Sequence, residues 1–434
     1  MRFENRIVQS GFADRSLLLG SLLVIGIVAC TANESSPGGT AGLVTVFDST
    51  ADTITARVDG QVPVSALRSM TVDMRIAPTV DDTSLFSEIS EIEVDAANRV
   101  WLFDPQSKRL FVFDSTGALV RRIGRQGQGP GEFQQGNGLV ALADSGVAFL
   151  DAQNARLSFF SANGDFRTSW PIPSGFYTSN GLSIDSSGTL YLRRPVGAER
   201  KGDILGRMGL VRLKDGGAFG DSLLPVDLPV ERETYVAVSA DGNSRSASSF
   251  RHAPNYHWDW HPHGFFVAGH GGRYEIVLER KNAKPVVIRR TATPVPLLPD
   301  EKAEEKEFII WNMRRTQPAW SWTGGDLPDA KAPLTGITVT RDGNIWARVA
   351  TASERIPADE MPPQTEKGPP PRNYRTPTVY EVFSPTGRFL GRVPMPPRTT
   401  MFQADGDYIW GIMRDEDDLP SVVRLKLNTA FGEP

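Results

Sequence analysis

Ile92-Glu93-Val94-Asp95, turning at Asn98, is followed by Arg109-Leu110-Phe111-Val112-Phe113-Asp114, which ends at Gly117. Each half is a short apolar strand closed by an Asp, Asn or Gly turn. The pair returns down the chain about every 40–50 residues, a period that belongs to stacked repeat architectures. The first half recurs as Leu142-Ala143-Asp144-Ser145-Gly146, as Leu182-Ser183-Ile184-Asp185 closing at Gly188, and as Ile337-Thr338-Val339 closing at Asp342-Gly343. The second recurs from Arg156 to Phe160, ending at Gly164, and as Val379-Tyr380-Glu381-Val382-Phe383, ending at Gly387. A four-stranded unit of this kind cannot bury both of its faces alone, so neighbours stack around a ring. The fold class that follows is all-β: a six-bladed β-propeller of four-stranded blades.

Blade one is expected over residues 90–123 and blade two over 136–170. Blade three starts near 180 and passes 213, and blade four holds Trp258-Asp259-Trp260 and Tyr274-Glu275-Ile276-Val277-Leu278. Blade five spans 335–393 around a long loop. The last unit supplies three strands, at 402–404, 408–413 and 422–427, and lacks a fourth. The N-terminal stretch holds spare strands at 44–47, 54–58 and 72–76. One of them is expected to complete blade six, closing the ring and removing its exposed edges. Residues 300–315 read as a short helical insertion, with Asp300 as cap, Glu301, Glu304 and Glu305 early, and Arg314 and Arg315 late.

The start of the chain carries a separate message. Arg2, Arg6 and Arg15 precede an apolar run over 17–29, too short for the 20 or so residues that span a bilayer. Ile27-Val28-Ala29-Cys30 closes that run, and Cys30 is the single cysteine. These four residues resemble the lipobox of bacterial lipoproteins. The resemblance implies that Cys30 becomes the acylated first residue of the mature protein, with palmitate among its chains. Residues 1–29 are then a lipoprotein signal peptide, 30–42 a polar flexible tether, and 43–434 the propeller. Thr31 stands where Asp is the inner-membrane retention signal of such lipoproteins, so the implied location is the cell envelope, lipid-anchored, at the outer membrane. Net charge is −4, with Lys+Arg 47 against Asp+Glu 51, and no long basic run occurs. Nucleic acid is therefore not an expected partner, and a monomer is expected.

Gly127-Gln128-Gly129-Pro130-Gly131-Glu132-Phe133 lies between blades one and two. This phrase resembles the inter-blade signature of NHL-type propellers, close to bacterial six-bladed β-propeller lipoproteins. The similarity covers residues 72–427 and is strongest across 92–170. A phosphate loop is the competing reading of these glycines, but no Lys-Ser/Thr follows and no helix begins there.

In such a ring one face carries short turns and the other carries the insertions, here 197–209, 356–377 and 293–333. Binding usually resides on loops held by a rigid scaffold. Near that face, where second strands end, stand Asp104, Asp151, Arg193, Arg194, Arg348 and Arg414. As a ring at the channel mouth they would suit an anionic or zwitterionic small ligand, or a peptide. A one-residue register slip turns each to the opposite side, which leaves ordinary strand ends with local ion pairs.

All five histidines fall between 252 and 270. A fold-back at Pro262-His263-Gly264 brings His257 and His270 together as a metal pair for Ca or Zn, completed by an acid from another blade such as Asp104 or Asp151. Basic residues at 193, 348 and 414 oppose a divalent cation there. No Gly-x-Ser-x-Gly or His-Glu-x-x-His occurs. The expected function is a lipid-anchored, cofactor-free binding module for a small ligand, peptide or envelope protein. The alternative is a metal-dependent hydrolase or lyase, resembling lactonases, in the central channel.

Overall fold

Short carboxylates close these hairpins because they satisfy the amides of their own turns. Asp114 accepts the N–H groups of Thr116 and Ala118 at 2.9 and 3.0 Å, and Gly117 follows at φ +89°. The computed structural model describes residues 43–78, 86–173, 181–197, 207–361, 363–365 and 368–431. The signal, Cys30 and the tether lie outside the described residues. Within them the hairpins assemble into a six-bladed ring.

Blade one is Glu91–Val94, Val100–Asp104, Arg109–Phe113 and Leu119–Ile123; blade two is Gly136–Ala141, Val147–Asp151, Arg156–Phe160 and Phe166–Pro171. Blade three is Leu182–Ile184, Leu190–Gly197, Arg207–Leu213 and Phe219–Leu223. Blade four is built on Tyr256–His261, Phe265–His270, Glu275–Leu278 and Val286–Arg290. Blade five is Leu334–Val339, Ile345–Val349, Val379–Phe383 and Phe389–Pro394. Blade six takes Thr399–Asp405, Tyr408–Arg414 and Pro420–Leu427, and its fourth strand is Met70–Ile76, antiparallel to Pro420–Leu427. The ring is thus closed by an N-terminal strand, the third of the three spare ones. The other two, Val44–Ser49 and Ile54–Asp59, form a hairpin on the outside of blade four, where Ile54–Asp59 runs parallel to Val286–Arg290.

Apolar side chains between the blades hold the ring. Phe103, Phe133 and Phe149 meet between blades one and two with centroids 4.8 to 5.8 Å apart, in tilted and edge-on contacts that aromatic rings favour. Trp101, Trp346 and Trp410, at similar second-strand positions, are all buried between blades. Phe133 ends the glycine-rich phrase, and Gly124 is required opposite it: a Cβ there would stand 2.3 Å from the ring, at a φ of +80°. The phrase itself is fastened through its carbonyls. Arg156 donates to the carbonyl oxygens of Gln128 and Gly129, each at 2.7 Å, and Glu132 takes the Gly129 N–H at 2.8 Å. A phosphate would need free N–H groups instead.

The helix spans Pro299–Arg314. Its cap position is Leu298 with Pro299 at the first turn, so Asp300 lies inside the helix rather than capping it. It packs on a hairpin absent from the sequence reading, Thr234–Val238 with Arg245–Ser249, and buries Ile309 and Met313 against Tyr235 and Trp320. Its acids fasten it. Glu301 accepts from Ser353 Oγ at 2.6 Å and pairs with Lys331 Nζ at 3.2 Å, with His252 Nε2 standing 3.1 Å from it. Glu304 receives Asn373 Nδ2 at 2.6 Å, and Glu305 pairs with Arg251 at 2.9 Å.

Candidate functional site

First strands of neighbouring blades approach one another and form the inner wall of the ring. Blade one places Glu91 and Glu93 two residues apart on that wall, hence on one face of the strand. Glu93 stands toward the short-turn end. Its Oε1 accepts the Val94 N–H at 3.0 Å and Arg341 Nη2 at 3.1 Å. Arg341 reaches in from the turn of blade five and donates also to the Val94 carbonyl. With its carboxamide nitrogen turned to Glu93, Gln403 of blade six donates at 3.2 Å and accepts from Arg341 at 2.7 Å. Burial pushes Glu93 up to about 7 in spite of Arg341. Burial also raises Asp405 nearby, with Arg341 opposing.

Glu91 stands at the other end of the same strand, toward the insertions. Burial alone pushes its carboxyl up to about 7, and no partner is assigned to it among the described residues. Asp259, on the inner strand of blade four, accepts the N–H groups of Val339 and Trp260, each at 2.8 Å. Its carboxyl is raised by burial, and Arg193 at 3.9 Å pulls the other way. The Arg193 guanidinium sits over the Trp258 ring, 3.9 Å from its centroid, a cation–π contact that holds it in place.

The raised carboxyl of Glu91 has a consequence for stability. A group whose folded pKa lies above its unfolded value contributes stability that is present below the unfolded pKa and lost as pH rises through the folded one. For Glu91 the window runs from 4.5 to about 7. His252, His257 and His261, all pushed down to about 4 by burial, act in the opposite sense, losing stability as pH falls from 6.5. Glu91→Gln removes only the first effect. Its unfolding midpoint relative to wild type is expected to rise between pH 5 and pH 8; a difference independent of pH would contradict this assignment.

The residues expected at the channel mouth have separate partners. Asp104 is buried and takes the N–H groups of Gln106 at 2.9 Å and Ser87 at 3.3 Å. Asp151, also buried, takes Gln134, Gln135 and Asn154 N–H groups at 2.9 to 3.1 Å and Asn154 Nδ2 at 2.7 Å. Both carboxylates are occupied in shaping their own turns. Arg194 turns away from Arg193 and sits over Phe219, 4.7 Å from its centroid. Arg348 reaches Thr378 Oγ1 at 3.3 Å, and Arg414 pairs with Glu88 at 3.1 Å. Of the six, Arg193 is the one found in the inner-wall group described above.

His257 pairs across the sheet with Gly269, and His270 with Tyr256. Cross-strand partners share a face, so the two imidazoles leave opposite faces of blade four. His270 Nδ1 accepts the Arg273 N–H at 3.2 Å, while His257 borders Leu334 of blade five. The expected fold-back occurs, one residue out of the register that would join them. Among the described residues no group of three or more His, Cys, Asp and Glu side chains is placed to hold a metal ion.

Sequence reading missed Glu91, Glu93, Arg341 and Gln403. The signal available was the pair of glutamates alternating within an apolar inner strand.

Residues 76–173 match DUF5128, a 6-bladed beta-propeller family. No curated protein matches the chain. Among solved structures it is similar to a member of the DUF4221 family from Bacteroides vulgatus, at 11% identity over 84% of this chain and 99% of that one, TM-score 0.49. A Bacteroides fragilis protein described as exported aligns at 12% identity over 87% and 100%, TM-score 0.47. Virginiamycin B lyase from Staphylococcus aureus aligns at 10% identity over 83% and 100%, TM-score 0.40. No activity is carried from these proteins to this chain.

Proposed function

We propose that the chain is a lipid-anchored envelope propeller, held through Cys30 at the outer membrane, that binds an amine-bearing or zwitterionic small ligand or a peptide at the inner wall of its ring. One observation carries this reading: Arg193 and Asp259 put both signs of charge beside the Trp258 ring between blades three and four, and Glu91, on the inner strand of blade one, has no partner assigned among the described residues. A carboxyl on the inner strand of blade one and a guanidinium stacked on blade four suit the ammonium and carboxylate of a ligand that lies across the ring between them. The raised carboxyl favours ligands that bring a positive charge, because ionising Glu91 then costs less. Zwitterionic and cationic ligands therefore suit the site better than purely anionic ones.

A thermal-shift panel of amino acids and di- and tripeptides tests it on the full chain. At least one member is expected to raise the unfolding midpoint by several degrees, an effect lost in Arg193→Ala and reduced in Glu91→Gln. A panel that shifts none, or shifts both variants like wild type, would refute the site. Hydrolase or lyase chemistry at a His257–His270 metal pair has no supporting observation, because the two side chains leave opposite faces of blade four.

A further inference from the structure

We propose that the outer face of blade four is a docking surface for an anionic phospholipid bilayer, an inference that rests on reading Cys30 as the lipid anchor. Val44–Ser49 is an edge strand, paired on one side with Ile54–Asp59. It shows large apolar side chains to solvent: Val44 at 55%, Val46 at 53% and Phe47 at 50% exposure. Such a strand invites a partner or a surface.

The register decides what accompanies these side chains. Val46 lies opposite Arg57, Arg57 beside Arg289, and Arg289 opposite Glu275. Partners across strands share a face, so Val44, Val46 and the arginine row are one surface, while Phe47, opposite Ala56, leaves the other face. Next to it opens a cavity of about 600 Å³ lined by Arg273, Glu275, Arg289, Arg290 and Thr291. Glu275 binds both Arg273 and Arg289, at 3.5 and 2.9 Å, and Arg290 is taken by Glu381. Arg57, Arg273 and Arg289 therefore face two acids, Glu275 and Asp59, near the cavity. At the hairpin's far end Lys284 donates to the Thr50 carbonyl at 2.6 Å and Arg280 to the Lys284 carbonyl at 2.7 Å, and the hairpin carries Asp48 and Asp52 there. Cations exceed acids at the cavity end, where guanidinium forks match phosphate oxygens.

Position in the chain selects a bilayer as the occupant. Val44 follows Cys30 by fourteen residues, a reach of at most roughly 50 Å for extended chain. The exposed apolar residues continue along the strap that follows. Val64, Leu67 and Val72 join Val44, Val46 and Phe47, and Leu67 bridges to Arg392 on the outer strand of blade five. An acyl anchor on Cys30 would thus keep the segment that begins at Val44 within that reach of headgroups.

Hydrogen exchange of the full chain on vesicles tests this, with acylation of Cys30 read from the mass of its peptide. Vesicles are phosphatidylcholine alone, or phosphatidylcholine with phosphatidylglycerol at a 7:3 ratio. Exchange across Val44–Ser49 is expected to slow at least fivefold on the anionic vesicles relative to the neutral ones, with Leu119–Ile123 on blade one unchanged. Two double variants, Val44→Ser/Val46→Ser and Arg57→Glu/Arg273→Glu, are each expected to abolish that slowing while keeping the wild-type circular dichroism. Equal exchange on both vesicles with Cys30 acylated would overturn the docking surface and leave the anchor standing. Slowing with Cys30 unmodified would overturn the anchor and leave the surface. Slowing without vesicles that grows with protein concentration would overturn the proposal in favour of a second copy pairing at the same edge.

Discussion

Glu381→Ala is expected to destabilise the propeller by about 3–5 kcal/mol, the usual result of removing one member of a buried ion pair. The carboxylate joins blade five to blade four. It accepts the Tyr274 hydroxyl at 2.8 Å, Arg290 Nε at 3.3 Å and Arg392 Nη2 at 2.6 Å. Glu381, Tyr274 and Arg290 are all buried. Alanine leaves the Arg290 guanidinium without its counter-charge and the Tyr274 hydroxyl without its acceptor. Burial and Glu381 together hold the Tyr274 pKa well above its ordinary value, so that phenol stays a donor across the physiological range. Glu381→Gln keeps an acceptor and is expected to cost less than Glu381→Ala. Urea unfolding of the three proteins measures the difference, and equal midpoints for wild type and Glu381→Ala would show that the cluster contributes nothing.

Removing residues 43–78 from the full chain is expected to have the larger effect, loss of cooperative unfolding altogether. That segment supplies the fourth strand of blade six and the outer hairpin of blade four. Met74, Ile76 and Val58 are buried in those blades, and withdrawing each sacrifices roughly 1.5–3 kcal/mol of burial. The deletion also bares the ladder edges of Pro420–Leu427 and Val286–Arg290, which Met70–Ile76 and Ile54–Asp59 cover. Against a net stability of about 5–15 kcal/mol for a folded protein, these losses are decisive. Calorimetry would show a broad, weak transition or aggregation; a single sharp transition near the wild-type midpoint would mean that the ring does not depend on its closure.

The fold was legible because its signals are local. Asp95, Asp114 and Asp185 each accept backbone amides from within their own turns, so the sequence around every hairpin carries its own mark. Asp95 and Asp185 also hold an aromatic six residues on, through Trp101 Nε1 at 2.9 Å and the Tyr191 hydroxyl at 2.8 Å. The missing fourth strand of blade six pointed to closure, and Met70–Ile76 supplies it. The hairpin on blade four left no such mark, since a parallel pairing of Ile54–Asp59 with Val286–Arg290 joins segments far apart in sequence. Nor did Thr234–Val238 and Arg245–Ser249, whose stability comes from the helix that packs on them.

The site was less legible for a different reason. Propeller blades repeat in chemistry but differ in register at their ends, and a side chain's role turns on one residue. Asp104 and Asp151 occupy the expected strand ends, yet backbone amides consume their carboxylates. His257 and His270 fall on opposite faces by the same one-residue margin. Arg193 and Arg194 differ in the same way, one stacked on Trp258 at the inner wall and the other on Phe219 toward the rim. Glu91 and Glu93 matter because burial changes their protonation, and burial on an inner wall emerges only when six blades meet.

The central claim is that Glu91 and Arg193 together hold a ligand's opposite charges. The most direct measurement is a calorimetric titration of the full chain with the peptide that stabilises it most, at pH 6 and at pH 8. Glu91, with its carboxyl at about 7, must ionise to meet an ammonium group. Binding is expected to be roughly fourfold tighter at pH 8, because ionising Glu91 contributes about tenfold and the peptide's α-ammonium, titrating near 8, returns a little over twofold; a proton is released at pH 6, and the gain at pH 8 is lost in Glu91→Gln. Affinity that does not change with pH, or that survives unchanged in Arg193→Ala, would contradict the account.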